Sequence, residues 1–236
     1  MIIFWRLLLT YYICAILFYN RRFFVWRDKH PVGAMGLQGV CFALLAVLFC
    51  GPYLTIDWQL AELWHVPGWL GVGLATFLYV LINRLFVYRN GQKKGYTLTF
   101  LVHDTLSVLA LFICSPLHVL YQTGNFMAEP LTVFFVGLIV VTKMFSVFIY
   151  KVEQDLYGRD YPTIDESFVT MLMRLIFFLI VLLPGWRWVL WFLVFVWACV
   201  DSRRNRLLDL SHFALYFSIF GAAAVGFLVR YSWYWL

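Results

Sequence analysis

Charged residues are scarce in this 236-residue sequence. Asp, Glu, Lys and Arg together make up 13% of it, whereas a soluble globular domain carries about 25%. Hydrophobic residues make up 64%, and the mean hydropathy is +0.83. This number of charged residues is too small to cover a water-facing surface. The composition therefore excludes an ordinary soluble domain and predicts an integral membrane protein. The aromatic content of 21% fits Phe facing lipid and Trp and Tyr at the membrane boundaries.

The sequence also lacks motifs that would identify a reaction or a cofactor. The HExxH, GxSxG, Walker and GxGxxG patterns are absent. The five cysteines contain no CxxC pair, so neither a disulfide framework nor a zinc site is predicted. A thiol–disulfide role remains open for Cys50 and Cys114, each two residues before a proline. His103 and His118 would lie about 22 Å apart along one helix, too far to ligate one haem, and we predict no cofactor.

Eight apolar stretches occupy most of the chain. A helix needs about 20 apolar residues to cross a hydrocarbon core of about 30 Å. The sequence therefore predicts an all-α bundle of about eight transmembrane helices, forming a single membrane domain over 1–236. The predicted spans are 2–20, 36–55, 68–88, 97–120, 130–150, 166–184, 186–201 and 210–232.

The ends of this set need separate arguments. The first stretch lacks a basic leading region and a small-residue cleavage site, so we expect a retained helix rather than a signal peptide. The seventh stretch is short, and only Pro184 and Gly185 separate it from the sixth. If those two stretches formed one re-entrant element, the number of spans would fall to six.

Basic residues fall on alternate loops. Lys and Arg occur at 21–29, 89–94, 151–159 and 203–206, whereas 57–67 and 122–129 contain none. The positive-inside rule then places the basic loops in the cytosol and both termini outside it. We expect the bacterial inner (plasma) membrane, with the cations contacting anionic lipid head groups rather than nucleic acid. The outer segment 57–64 (DWQLAELW) predicts a short amphipathic surface helix.

The sequence contains a possible internal repeat. Residues 20–27 (NRRFFVWR) resemble residues 83–89 (NRLFVYR), and LFCGP at 48–52 is similar to LFICSP at 111–116. A duplication of helical hairpins over 1–63 and 64–127 would explain both similarities. The alternative is chance similarity between helices that are rich in Leu and Phe.

Polar and ionisable side chains inside the apolar stretches are the candidate functional residues, because a charged side chain costs about 2.5–3.5 kcal/mol to insert. At about 1.5 Å per residue, they share one layer within about 12 Å of the predicted cytosolic boundary. Polar and small residues at helical spacing continue from this layer, which predicts a water-accessible cavity open to the cytosol. The layer contains Asn83, Arg84, His103, Asp104, Lys143, Arg174, Asp209 and His212.

The cations of this layer outnumber its carboxylates, which favours an anionic ligand. We predict an anionic lipid or a small acidic substrate, bound for transport or for chemical modification. Arg84, Lys143 and Arg174 would hold the anion. In the alternative interpretation, Asp104 neutralises Lys143 or Arg174 and only stabilises the bundle.

The sequence leaves open whether the protein is an enzyme. His103 and His212 are the candidate catalytic residues, because either could move a proton. His103 and Asp104 cannot act as a pair with each other, since adjacent helical residues point about 100° apart. His103 would need a carboxylate from another helix, such as Asp209.

A second function belongs to a different class: a non-catalytic structural or assembly subunit of a larger membrane complex. Abundant aromatics and short loops suit this function. The helix over 210–232 carries a run of small residues at 221–226 (GAAAVG), which would allow close contact with a neighbouring helix or with another subunit.

Reporter fusions test the predicted orientation. A reporter that is active only in the cytosol should be active when fused after residue 94, because 89–94 carries three cations. The same reporter fused after residue 67 should be inactive, and a reporter that works only outside the cytosol should show the reverse. Cytosolic activity at both positions would contradict the orientation.

Overall fold

A computed structural model describes residues 2–18, 21–60, 64–89, 96–116, 129–157, 164–205 and 211–234. The chain divides into two compact units, Met1–Thr132 and Val133–Leu236. The described residues are helical apart from short connections and one two-stranded sheet.

The first unit is built from five helices and a hairpin within the described ranges. Helix α1 packs against α3 and α5, α3 packs against α2 and α4, and α4 packs against α5. The rings of Phe42 and Tyr79 stack in this core with centroids 4.5 Å apart. In chain order the elements are α1 (Ile2–Phe18), α2 (Arg21–Lys29), α3 (Pro31–Cys50), a 3₁₀ turn (Gly51–Tyr53), β1 (Asp57–Leu60), β2 (Trp64–Pro67), α4 (Gly68–Arg89) and α5 (Tyr96–Ile113).

The second unit packs its helices around α8. Helix α8 contacts α9, α10 and the π-helical turn that joins α6 to α7. Phe177 and Phe178 of α8 are fully buried in this core. The elements are α6 (Pro130–Ile139), the π turn (Val140–Met144), α7 (Phe145–Tyr157), α8 (Ile164–Val181), α9 (Arg187–Arg204) and α10 (His212–Tyr234).

The structure confirms an all-α membrane protein. Four helical segments are long and apolar enough to cross a membrane: Pro31–Tyr53, Gly68–Phe86, Pro130–Leu156 and His212–Trp233. Three shorter apolar helices are Ile2–Phe18, Thr97–Ile113 and Phe168–Val181. The number of spans, the side on which the termini lie, the single membrane domain and the internal repeat stay predictions.

The predicted amphipathic helix over 57–64 is wrong, because the segment belongs to an antiparallel hairpin. Strands β1 and β2 pair from Asp57 opposite Pro67 to Leu60 opposite Trp64. Trp58 is 1% exposed, and its indole N–H donates to the Tyr53 carbonyl at 2.9 Å. The ring lies directly on Gly71 of α4, where a Cβ would come within 2.2 Å of it. The hairpin thus buries a large aromatic ring against α4 and gives its N–H a hydrogen-bond partner.

The turn between α8 and α9 is held by Arg230 of α10. Gly185 adopts a φ of +69°, a conformation that favours glycine. The Arg230 guanidinium donates to the carbonyls of Val181, Leu183 and Gly185 at 2.9–3.1 Å. Val181 is the last residue of α8 and the other two carbonyls lie in the turn after it, so the cation supplies hydrogen bonds that the helix end cannot make by itself.

The small-residue face of α10 is used inside the second unit. A Cβ at Gly226 would lie 3.0 Å from Val181 Cβ, and one at Gly221 would lie 2.8 Å from the Phe145 ring. Close helix packing therefore covers this face. Contact with another subunit through α10 stays a prediction, and it would use the exposed side chains of Phe220, Phe227, Leu228 and Tyr231.

Gly71→Ala tests the fit of Trp58 against α4. The added methyl group is expected to lower the free energy of unfolding by about 1–3 kcal/mol, because it must displace a buried ring. Gly73→Ala is the matched control, since no atom lies within 4 Å of its Cβ position. Alanine has a higher helix propensity than glycine. The control substitution should therefore leave the free energy of unfolding unchanged or raise it by up to about 1 kcal/mol. Unfolding of the purified protein in mixed micelles measures both, and equal losses would contradict this packing.

Candidate functional site

The eight predicted site residues fall in both units. Asn83, Arg84, His103 and Asp104 belong to the first unit, and Lys143, Arg174 and His212 belong to the second. Asp209 lies outside the described residues. Their convergence on one pocket stays a prediction, and each unit is considered by itself below.

Asn83 and His103 form a direct pair between α4 and α5. His103 Nε2 lies 3.1 Å from Asn83 Oδ1, and the Asn83 amide donates to the Tyr79 carbonyl at 2.9 Å. The imidazole also meets the Phe86 ring edge-on, with centroids 5.1 Å apart. Since the amide oxygen only accepts, this pair requires a proton on His103 Nε2. Asn83 therefore orients the imidazole of His103. The sequence placed both residues at a similar depth but did not indicate this contact.

Asp104 pairs with tyrosine rather than with a cation in the described part of its unit. The Tyr11 hydroxyl of α1 donates to Asp104 Oδ1 at 2.8 Å. Tyr11 is almost fully buried, whereas the carboxyl group keeps some exposure. The contact ties α1 to α5 across the first unit. Arg84 lies on the exposed side of α4.

Arg174 of α8 is the most buried charged side chain among the described residues, at 1% exposure. Its Nη2 donates to Ser146 Oγ of α7. Its Nε is buried and has no hydrogen-bond partner in the described part of the chain. The described carboxylates of the second unit form no ion pair with it. A buried guanidinium is thus held by one hydroxyl group.

The π turn that carries Lys143 packs against α8. In this turn the Phe145 N–H donates to the Val140 carbonyl, five residues back. The Thr142 hydroxyl donates to the Leu138 carbonyl, and the Ser146 hydroxyl donates to the Thr142 carbonyl, both at 2.7 Å. Because the Ser146 hydroxyl donates its proton to the backbone, its oxygen can act as the acceptor for Arg174. Single π turns inside α-helices occur frequently at functional sites. The Lys143 side chain is exposed.

His212 lies at the start of α10 and contacts a cation. Its Nδ1 lies 2.5 Å from Arg203 Nη1. Because guanidinium only donates, Nδ1 must be unprotonated in this contact. Beside it, Ser211 caps α10 by accepting from the Ala214 N–H at 3.0 Å and donates to Glu153 of α7. His212 thus belongs to a polar junction between α7, α9 and α10.

Sequence reasoning missed a second cation within an apolar helix, Arg6 of α1, which is half-buried. Its Nε donates to both carboxylate oxygens of Glu129 at 2.9 and 3.0 Å, and its Nη1 donates to the Phe49 carbonyl at 2.7 Å. The guanidinium also lies 4.9 Å from the centre of the Tyr53 ring, and Thr132 donates to Glu129. Arg6 is the one charged side chain in the apolar sequence 2–18, and this isolation could have drawn attention to it.

The alternative chemistries receive no support from these positions. All five cysteines are free, and Cys50 and Cys114 are fully buried. Exchange with a partner thiol needs access, which burial denies. Across the described ranges, no group of three or more His, Cys, Asp or Glu could hold a metal ion.

Glu129→Gln tests the Arg6 cluster. The substitution keeps the shape of the side chain but leaves the guanidinium without its countercharge, so we expect the free energy of unfolding to fall by about 1.5–3 kcal/mol. Asp28→Asn is the control, because Asp28 is 71% exposed in its pair with Arg27. The control should change stability by less than about 0.5 kcal/mol. Equal losses in chemical unfolding would show that the cluster contributes no more than a surface pair.

No protein family model matches this chain. Comparison with curated proteins gives no match, and comparison with solved structures gives none either. The function therefore has to be argued from the side chains.

Proposed function

We propose that this membrane protein binds an anionic lipid or a small acidic substrate in a polar site within the membrane, for transport or chemical modification. Arg174 is the central residue of the site. The observation that carries the proposal is the burial of its guanidinium with one hydroxyl partner and an unpartnered Nε. The proposed location is the cytosolic half of a bacterial inner membrane.

The energetics of a buried guanidinium favour a ligand. Removing a charge from water costs several kcal/mol, which only a countercharge and good hydrogen bonds offset. Ser146 supplies one hydrogen bond, and its neutral hydroxyl supplies no charge. A phosphate or carboxylate would supply both, since its oxygens match the planar fork of arginine. An anion is therefore the natural partner for this side chain.

Lys143 and the π turn support the same ligand class. Lys143 adds an exposed cation on the element that packs against α8. Lys143 precedes Ser146, the hydroxyl partner of Arg174, by one helical turn, and an exposed cation there would attract anions to the site. In this proposal Arg84 also serves as an anion contact. Asn83, Asp104 and Asp209 complete the binding layer, and His103 or His212 would move a proton if chemistry follows binding.

The second candidate function, a structural subunit of a membrane complex, is favoured by helix α9. Its exposed large side chains include Trp191, which is 59% exposed, and Trp197, which is 70% exposed. Aromatic anchors of this size are typical of the energetic centres of protein interfaces. Lipid contact would expose the same residues, so only the behaviour of the purified protein separates these interpretations.

Arg174→Met separates ligand binding from a structural role. Methionine fills a similar volume without charge, so we expect the ligand-free protein to become more stable. We also expect the added thermal stability that phosphatidylglycerol or glycerol 3-phosphate confers to disappear. A ligand at 100 times its Kd contributes about 2.7 kcal/mol, which is readily measured.

Arg187→Met is the matched control, because Arg187 is exposed at the start of α9. It should change neither the stability nor the response to the two anions. If Arg174→Met instead lowers stability and leaves the anion response intact, Arg174 only stabilises the bundle and the proposed function is wrong. Loss of a co-purifying subunit with Arg174→Met would support the structural subunit.

A further inference from the structure

The junction of α2 and α3 forms an open cavity of about 520 Å³. This volume lies within the range of ligand sites, about 300–1,000 Å³. The cavity belongs to the first unit and shares no residue with the proposed Arg174 site. Its lining consists of Trp26, Lys29, His30, Pro31, Val32 and Gly33.

The cavity lies where a membrane span begins. The apolar segment Pro31–Tyr53 starts at the cavity wall. Helix α2, with nine residues, is about 13 Å long and too short to cross the membrane. It carries four cations and one carboxylate. A short basic helix next to a span is expected at the level of the lipid head groups.

No carboxylate of the described residues pairs with the exposed cation of the cavity. Lys29 is exposed and forms no hydrogen bond or ion pair with any described residue. The neighbouring carboxylate, Asp28, pairs with Arg27 at 3.4 Å. The His30 side chain makes no capping hydrogen bond to α3. Lys29 and His30 are therefore available to an anionic group.

The walls of the cavity suit the apolar part of a lipid. Trp26 lies over Gly33, at 3.8 Å from the position that a Cβ would take, and its ring lies 6.1 Å from that of His30. Trp26 is 39% exposed and Val32 is 79% exposed. Exposed apolar side chains beside a cation match a molecule that carries an anion directly above hydrocarbon.

We propose that this cavity binds the head group of an anionic phospholipid, with Lys29 at the phosphate and Trp26 beside the glycerol region. The site holds a lipid of the bulk membrane and anchors α2 at the boundary. It is independent of the proposed function, because neither Arg174 nor Lys143 contributes to it.

Native mass spectrometry of the full chain in mild detergent tests the proposal, with phosphatidylglycerol and phosphatidylcholine as probes. Phosphatidylglycerol should bind preferentially, and Lys29→Gln should weaken its binding about five-fold, the effect of one cation near a lipid surface. Lys29→Arg should retain binding. Thermal unfolding of Lys29→Gln should match the unsubstituted protein, since the side chain is exposed.

Arg204→Gln is the control for loss of one positive charge, because Arg204 is exposed at the end of α9. Measuring the Lys29 effect again in the Arg174→Met background separates the two sites. The proposal is overturned if Lys29→Gln binds normally, if Arg204→Gln loses as much affinity, or if the Lys29 effect vanishes with Arg174→Met. Soluble glycerol 3-phosphate that displaces the lipid at equal concentration would also overturn it, since the site would then recognise phosphate alone.

Discussion

A guanidinium inside an apolar bundle must find hydrogen bonds and a countercharge, and most of this structure can be understood from how that requirement is met. Arg6 donates to a carboxylate and a backbone carbonyl, and it lies over an aromatic ring. Arg230 receives three carbonyls at a helix end. Arg174 receives one hydroxyl. The first two hold secondary structures together, whereas the third has no countercharge among the described residues.

The polar residues within the apolar helices likewise differ in whether the protein supplies their hydrogen-bond partners. Asp104 and His103 sit in hydrogen bonds to Tyr11 and Asn83 that tie neighbouring helices together. Such pairs satisfy groups that would otherwise be costly in hydrocarbon, and they do so without a ligand. The π turn beside Arg174 carries an exposed Lys143 in addition. Arg174 and Lys143, two of the proposed anion contacts, both belong to the second unit.

The helical architecture could be predicted because lipid leaves the backbone few alternatives. A long apolar stretch must satisfy its own N–H and C=O groups, and a helix does so locally. The hairpin at 57–67 escaped prediction because its cause is not local. The Trp58 ring packs on Gly71, which lies 13 positions later in the chain. A hydrophobic pattern along the sequence does not indicate such a contact.

The sequence supplies candidate site residues but not their contacts. Burial cost identifies Arg174 and Asp104 from their positions within apolar stretches alone. It does not reveal that Tyr11 donates a hydrogen bond to the Asp104 carboxyl group. Nor does it reveal that Arg6 pairs with Glu129, which lies 123 positions later in the chain. Those partners depend on helix neighbours, and many pairings of apolar helices are compatible with the same sequence.

The π turn has a consequence for how length changes can be tolerated in this chain. One residue in an α-helix corresponds to a rotation of about 100°. The π turn at Val140–Met144 takes up one residue without that rotation, so deleting one of its residues would leave α7 in nearly the same phase. If the turn became α-helical with its length unchanged, α7 would rotate by about 100° relative to α6, and Ser146 would turn away from Arg174 and Glu153 from Ser211. The π turn thus sets the phase of α7, and the contacts of one helix face depend on backbone geometry several residues earlier in the chain.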